Sequence, residues 1–375
     1  MCTEPTADRS ASTPGEKFSL IQRNLQEVLN PEIIHDVLIR DERPLRIYWG
    51  TAITGRPHCG YLVPMLKIAQ FLAAGCEVTI LLADVHGFLD NLKAPIELVA
   101  QRVQYYRYAI TEGLKAVHVD TARLSFVTGS EYQTTGERGA QYFMDLLRMS
   151  TAISSHDATK AGSDVVKHIE NPTLSCQLYP LMQALDEEYL DVDAQFGGVD
   201  QRKIFTLAVE ALPRIGFRKR AHLMNPLIPG LQKGGKMSSS DPDSKIDLID
   251  LPDVVRWKLR KAFCPARQVE GNGILSLVEY VVLPASALGS HGHSRFVVPR
   301  RNAEALVYSC IEDVQRDFAA DILQPQTLKP AVTDALLGIL TPIRAAFESN
   351  PAWQAVEASA YVEQRPSKKG KKAGT

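Results

Sequence analysis

The sequence predicts an α/β protein, in which a parallel sheet carries an inserted helical block and is followed by an all-helical C-terminal region. Three observations carry this reading. Over residues 45–128, short β-rich apolar runs alternate with amphipathic helical stretches, the pattern of a right-handed parallel sheet. From about 131 to 190 that alternation gives way to helical periodicity alone. Beyond residue 251 the chain again reads as mainly helical, as far as Glu348.

Taken in order, residues 1–16 are rich in Ser, Thr and Pro and are expected to be disordered. Leu45–Trp49 reads as a short buried strand bounded by Gly50. Leu62, Met65, Leu66, Ala69, Leu72 and Ala73 then recur at i, i+3, i+4, i+7, i+10 and i+11, and Gly75 stands where a helix C-cap belongs. Glu77–Ala83 is a second strand, Pro95 to Leu114 a helix, and Leu124–Thr128 a further strand. After the helical block, Val192–Phe196 restores a strand, Asp200–Leu212 a helix, and His222–Ile228 an extended piece. Leu251–Phe263 opens the C-terminal region, with Val255, Leu259, Ala262 and Phe263 on one face. The domain boundary is placed at 245/246, and the lysine-rich tail from 356 to 375 is expected to be disordered.

Composition narrows the function. A chain of 375 residues suggests two or three domains, and a formal net charge of −1 excludes a globally basic nucleic-acid coat. Any polyanion must be held by local basic patches. The six cysteines are scattered with no Cys-x-x-Cys pair, which speaks against zinc and a disulfide framework and for a reducing compartment. No apolar run approaches the roughly 20 residues that span a bilayer. The first sixteen residues carry Glu4, Asp8 and Glu16 without an apolar signal core, so the expectation is a cytosolic protein with no membrane attachment.

Two loops carry chemistry. Lys236-Met237-Ser238-Ser239-Ser240 follows Gly234-Gly235; an ammonium, hydroxyls and a pliable backbone suit phosphate binding. Alone, such a loop also fits a plain flexible linker. Pro57-His58-Cys59-Gly60 lies between the first strand and its helix, at the carboxyl end of a parallel strand, where open α/β sheets bind ligands. There a helix N-terminus favours phosphate, His58 can donate to a phosphate oxygen, and Gly60 permits close approach.

His-x-Gly followed far downstream by Lys-Met-Ser-x-Ser is the signature of class I aminoacyl-tRNA synthetases. The resemblance is closer still. Tyr48-Trp49-Gly50-Thr51-Ala52, Thr54-Gly55-Arg56-Pro57-His58, Leu82-Ala83-Asp84-Val85-His86, Tyr179-Pro180, Gln183-Ala184-Leu185-Asp186 and Asp193–Lys203 together resemble the tyrosyl-tRNA synthetases of the eukaryotic cytosolic and archaeal branch, from about residue 18 to 350. The resemblance implies a Rossmann-like catalytic domain (17–245), a helical insertion at about 123–190 forming a homodimer interface, and a helical anticodon-binding domain (246–355). It implies ATP, with Mg²⁺, L-tyrosine and tRNA as ligands. Gly50, Pro57, His58, Gly60, Lys236, Met237, Ser238, Ser239 and Ser240 would bind ATP, with His58, Lys236, Ser238 and Ser240 assisting catalysis. Two positions depart from the class pattern: Tyr61 replaces a second histidine, and Ser239 a second lysine. Mg²⁺ alone, Lys233 or Lys245, or a monovalent cation on the serine hydroxyls would each replace that missing charge.

For the amino acid, Tyr179, Gln183 and Asp186 fall at i, i+4 and i+7, on one face of a helix that Pro180 is positioned to start. Leu181, Leu185 and Leu190 make this helix amphipathic, so the residues alone leave open whether that face meets a pocket or solvent. The resemblance assigns it to tyrosine. Asp186 accepts from the phenol with Tyr48 as second partner, Tyr179, Gln183 and Gln201 hold the ammonium, and His86 lines the ring cavity. A site that binds the phenol hydroxyl leaves buried groups unpaired when phenylalanine enters, so no editing domain is needed. Tyr48 and Asp186 argue against the tryptophanyl sibling, which shares both loops, and intact His58, Lys236 and Asp186 against a non-catalytic RNA-binding paralogue. For tRNA the candidates are Arg256, Arg260 and Lys261 beside Trp257, then Phe296, Arg300 and Arg301; a solvated helix face with Trp257 in the core fits the first group equally.

Overall fold

The computed structural model describes residues 13–90, 95–165, 173–235, 237, 244–290 and 293–362. Six strands form the main sheet: β1 (Glu27–Leu29), β2 (Arg46–Ala52), β3 (Glu77–Ala83), β4 (Leu124–Thr128), β5 (Ala194–Gly198) and β6 (Ala221–Asn225), in the order β1-β6-β5-β2-β3-β4. All neighbours run parallel except the edge strand β1, which pairs antiparallel to β6. The strand order reverses at β2, which lies between β3 and β5, and such a switch point opens a crevice at the carboxyl ends.

β2 is buried on both faces. Ile47 and Trp49 join a core with Met65, Ile68 and Phe71 of the Leu62–Ala73 helix, while Tyr48 points into a second core with Leu146, Met149 and Leu185 of the helical block. This double burial explains its unbroken apolar run. The Leu62–Ala73 helix ends as expected, with Gly75 at φ +81°, a conformation that disfavours a Cβ.

Several boundaries differ from the sequence reading. A capping box of Thr13 and Glu16 starts a helix at Pro14, so residues 14–16 are ordered; the expected disorder of 1–12 lies outside the described residues. β1 was unforeseen because three half-buried residues give no usable period. β4 is a full member of the sheet, so the helical insertion begins after residue 128, not at 123. Pro180 sits inside the Leu174–Tyr189 helix and does not start it. A proline there frees the carbonyl four residues earlier, Cys176; Gly162, whose absent side chain would come within 3.1 Å of that oxygen, packs against it.

The boundary at 245/246 also moves. The Cys59 N–H donates to Ile246 O (2.8 Å) and the Leu248 N–H to Pro57 O (3.1 Å), and Ile246 and Leu248 are buried in the catalytic core. Residues 246–248 therefore complete the first signature loop.

Among the described residues, the regular structure of the C-terminal region is helical except for one hairpin, β7 (Phe296–Val298) with β8 (Leu306–Tyr308), which the all-helical expectation did not include. Its last helix, Pro351–Ala360, docks on the Ile96–Ala116 helix of the catalytic region, and Trp353 stacks on Tyr108. Helix therefore extends past residue 356, where the tail was placed; residues 363–375 lie outside the described part. The 24-residue Pro325–Glu348 helix is long and apolar enough to cross a membrane by those measures alone, which the sequence reading had passed over. Its Leu328, Val332, Leu336 and Leu340 row is buried in the core shared with the sheet.

Candidate active site

The crevice at the β2–β5 switch point holds a cavity of about 400 Å³. The residues expected to hold tyrosine come from four elements: Tyr48 from β2, His86 from the Asp84–Leu89 helix, Tyr179, Gln183 and Asp186 from the Leu174–Tyr189 helix, and Gln201 from the turn after β5. Helical spacing brings Tyr179, Gln183 and Asp186 to one face, as expected, and that face is buried.

Asp186 is fully buried. Its Oδ1 accepts from Gln133 Nε2 at 2.7 Å, and the Tyr142 hydroxyl lies 3.0 Å from the same oxygen. That hydroxyl also lies 2.9 Å from the Met182 carbonyl, so its single proton serves one acceptor at a time. Oδ2 has no hydrogen-bond partner among the described residues. Burial pushes the Asp186 carboxyl up to about 7, against the opposing pull of Gln133 and the tyrosine hydroxyls. His86 Nε2 is 3.8 Å from Oδ2, and burial depresses its pKa to about 4. The imidazole is therefore neutral at pH 7, and the two form no ion pair. Its ring stands edge-on to Tyr179 at 4.7 Å, which closes that wall of the cavity.

The Tyr48 hydroxyl donates to the Gln183 carbonyl over a long 3.3 Å, and Gln183 Nε2 donates to Gln201 Oε1 at 2.7 Å. Gln195 of β5 also lines the cavity, its buried Oε1 without a partner among the described residues. Sequence reasoning quoted the Gln195 segment without assigning the residue. It missed Gln133 and Tyr142 altogether. Position was the available signal for Gln133, which follows β4 at the carboxyl edge of the sheet; nothing local marks Tyr142.

At the other end, His58 is 7% exposed and lines the cavity with Gly50, Thr51, Gly60 and Tyr61. The Gly60 N–H donates to His58 Nδ1 at 3.2 Å, so the ring proton sits on Nε2. Burial, with the nearby Lys245 charge, lowers the His58 pKa to about 3. His58 is thus a neutral donor through Nε2. A side chain at Gly60 would meet His58 Cε1 at 2.8 Å, which explains the glycine. Lys245 is committed to Asp247 Oδ1 (2.6 Å) and the Arg56 carbonyl (3.1 Å).

Met237 brings the second loop to the first: its Sδ lies 3.6 Å from Cys59 Sγ, and its N–H donates to Ile228 O. Lys236, Ser238, Ser239 and Ser240 lie outside the described residues. Of the tRNA candidates, Arg256 and Arg260 line a separate groove of about 530 Å³ with Lys329, while Lys261 lies 4.3 Å over the exposed ring of Trp257. Trp257 is therefore no core residue. Arg300 and Arg301 are exposed. Phe296 is corrected: it is 2% exposed and stacked on Tyr308 inside the hairpin, so its ring is closed to a base.

A sequence profile of the family described as tRNA synthetases class I (W and Y) matches residues 40–341. The cytoplasmic tyrosine–tRNA ligase of Saccharomyces cerevisiae is 52% identical over 97% of this chain and 93% of its own length. That of Danio rerio is also 52% identical, over 96% of this chain and 66% of its own, so the chain spans about two thirds of that relative. The crystal structure of Pyrococcus horikoshii tyrosyl-tRNA synthetase with L-tyrosine superposes with TM-score 0.84 at 28% identity, covering 93% of this chain and 100% of that one. A tryptophanyl-tRNA synthetase from Aeropyrum pernix, at 18% identity and TM-score 0.66, shares the fold. With His58 and Met237, one residue from each signature motif, lining one cavity at the sheet's switch point, the chain belongs to the tyrosyl-tRNA synthetase branch of the class I tRNA synthetases.

Proposed function

We propose that this chain activates L-tyrosine with MgATP to tyrosyl-adenylate and transfers the tyrosyl group to the 3′ end of a tyrosine tRNA. The observation that carries the reading is the unpartnered Oδ2 of buried Asp186 facing a cavity that also holds the Tyr48 hydroxyl. A phenol hydroxyl both donates and accepts, and so satisfies Asp186 and Tyr48 together. An indole N–H only donates, and would leave Tyr48 with nothing but its long 3.3 Å bond to the Gln183 carbonyl.

The substrate carboxylate attacks the α-phosphorus of ATP, and pyrophosphate leaves. Gln183, Gln201 and Tyr179 orient the ammonium. No side chain acts as nucleophile; positioning and charge stabilisation supply the acceleration. Neutral His58 donates from Nε2 to a phosphate oxygen, while Lys236, Ser238 and Ser240 meet the departing pyrophosphate. Mg²⁺ enters with the ATP phosphates. The basic groove of Arg256, Arg260 and Lys329, beside exposed Trp257, supports tRNA binding there through phosphate contacts and base stacking. On the Gly136–Ala152 helix, exposed Phe143, Met144 and Leu147 support pairing with a second copy. The cytoplasmic relatives support the cytosol as site of action.

Tyrosine-dependent ATP–pyrophosphate exchange tests the reading. Exchange with tyrosine and not with tryptophan or phenylalanine is expected; equal exchange with tryptophan would overturn it.

A further inference from the structure

Three consecutive carbonyls in the loop leading to His58 are each held by a different long side chain. Arg102 Nη1 donates to Thr54 O at 2.5 Å, the Tyr106 hydroxyl to Gly55 O at 2.5 Å, and Lys245 Nζ to Arg56 O at 3.1 Å. All three donors are buried, and none lines the substrate cavity. The Arg56 side chain continues outward to the last helix. Its Nε and Nη2 both reach Glu357 Oε1, at 3.0 and 2.5 Å, and its guanidinium lies 4.7 Å from the Tyr361 ring centroid. Arg102 approaches the same ring at 5.2 Å, and its Nε donates to Ala360 O. The phosphate-side loop is thus fastened from behind to the Ile96–Ala116 and Pro351–Ala360 helices.

Such fastening has a physical use. Residues 53–57 belong to no sheet ladder, and Pro57 has no N–H to contribute. Without the clamps, ATP would have to order the loop on binding, and its affinity would fall accordingly. In trans peptides, carbonyls turned toward the Ile96–Ala116 helix also turn the Gly55 and Arg56 N–H groups the opposite way.

We propose that Glu357, through Arg56, and Tyr106 with Arg102 are positioning residues that hold the Thr54–His58 loop in its ATP-binding shape, so that docking of the last helix sets the competence of the phosphate end. The proposal rests on the adenylation reading above. The test uses the full chain, with Glu357→Gln, Tyr106→Phe and the exchanged pair Arg56→Glu/Glu357→Arg. KM for ATP and for tyrosine are measured separately by pyrophosphate exchange, alongside Tm and direct equilibrium binding of ATP. Glu357→Gln, which takes the charge from the Arg56 pair, and Tyr106→Phe, which removes one hydrogen bond, are expected to raise the ATP KM about 5- to 10-fold, with the tyrosine KM within about twofold. The exchanged pair should recover most of that loss. Equal changes in both KM values, or an unchanged ATP KM in a folded variant, would overturn the proposal. Should Glu357→Gln fail to fold, Tyr106→Phe, which removes one hydroxyl, decides. A parent without exchange would defeat the adenylation reading, while direct ATP affinity across the same variants still settles the positioning role.

Discussion

The two ends of the cavity are built on opposite plans. At the tyrosine end, side chains on a strand and rigid helices are already bonded to one another: Gln133 and Tyr142 to Asp186, Gln183 to Gln201. Among the described residues Asp186 Oδ2 is left over for the ligand, beside the unpartnered Oε1 of Gln195. At the end proposed for phosphate the groups come from loops, and His58 is a neutral donor oriented by a glycine N–H. The first plan suits discrimination, because a ligand either answers the spare oxygen or leaves it unpaired. The second suits a charge that appears only during reaction, because a neutral donor already held in place meets it without reorganising. Substitutions at the two ends should therefore separate into ground-state and transition-state effects.

The largest effect expected from this contrast is at Lys236. Lys236→Ala should slow adenylate formation by about 10²- to 10³-fold while tyrosine affinity changes only a few-fold, since its charge is needed mainly as pyrophosphate departs. Single-turnover rates at saturating tyrosine provide the measurement; a variant weakened in tyrosine binding alone would erase the contrast. Next is Asp186→Ala, expected to cost about 10- to 100-fold in tyrosine affinity and to erode rejection of phenylalanine, with a smaller change in the rate of the bound complex. Comparing kcat/KM for the two amino acids in parent and variant checks it, and unaltered discrimination would remove Asp186 from the pocket.

A gentler probe is pH. The Asp186 carboxyl, near 7 when folded against an ordinary 3.8, is expected to accept the phenol's hydrogen bond only as carboxylate. Tyrosine affinity should therefore rise with pH up to about 7, by at most about tenfold per unit, and then level off. Asp186→Asn should flatten that profile. Stability runs the other way: because the folded state holds this proton more tightly, the parent should lose stability relative to Asp186→Asn between about pH 4 and 7. His58 and His86, lowered by burial from 6.5 to about 3 and 4, make stability rise with pH over the same window, since the unfolded state takes up their protons first; parent and variant share that contribution, so it cancels in the comparison.

How much of this was legible in the sequence differed by element. β3 and β4 appear at their predicted residues because each is a short apolar run with punctuated ends. The face of Tyr179, Gln183 and Asp186 was readable from spacing, yet its burial was not, since an amphipathic helix with polar residues on one face looks the same beside a cavity or beside water. Gln133 and Tyr142 escaped because their function is to hold another side chain, a relation made by tertiary packing and carried by no local pattern. Phe296 was misread for a related reason: a flanking arginine pair suggested an RNA surface, while pairing with β8 turned the ring inward. The capping box at Thr13 was legible and overridden by the polar composition around it.

The edge strand β1 has a consequence for how the molecule is made. Glu27, Val28 and Leu29 pair with Met224, Leu223 and His222, nearly two hundred residues later. On a ribosome the first strand must wait unpaired until almost the whole catalytic region has emerged, and the Ile96–Ala116 helix must wait longer still for the Pro351–Ala360 helix. Late closures of this kind are slow, because distant ends must be brought together before any contact rewards them. Stops in synthesis before β6 would leave β1 unpaired and β5 with a bare edge, the surface on which nascent chains associate.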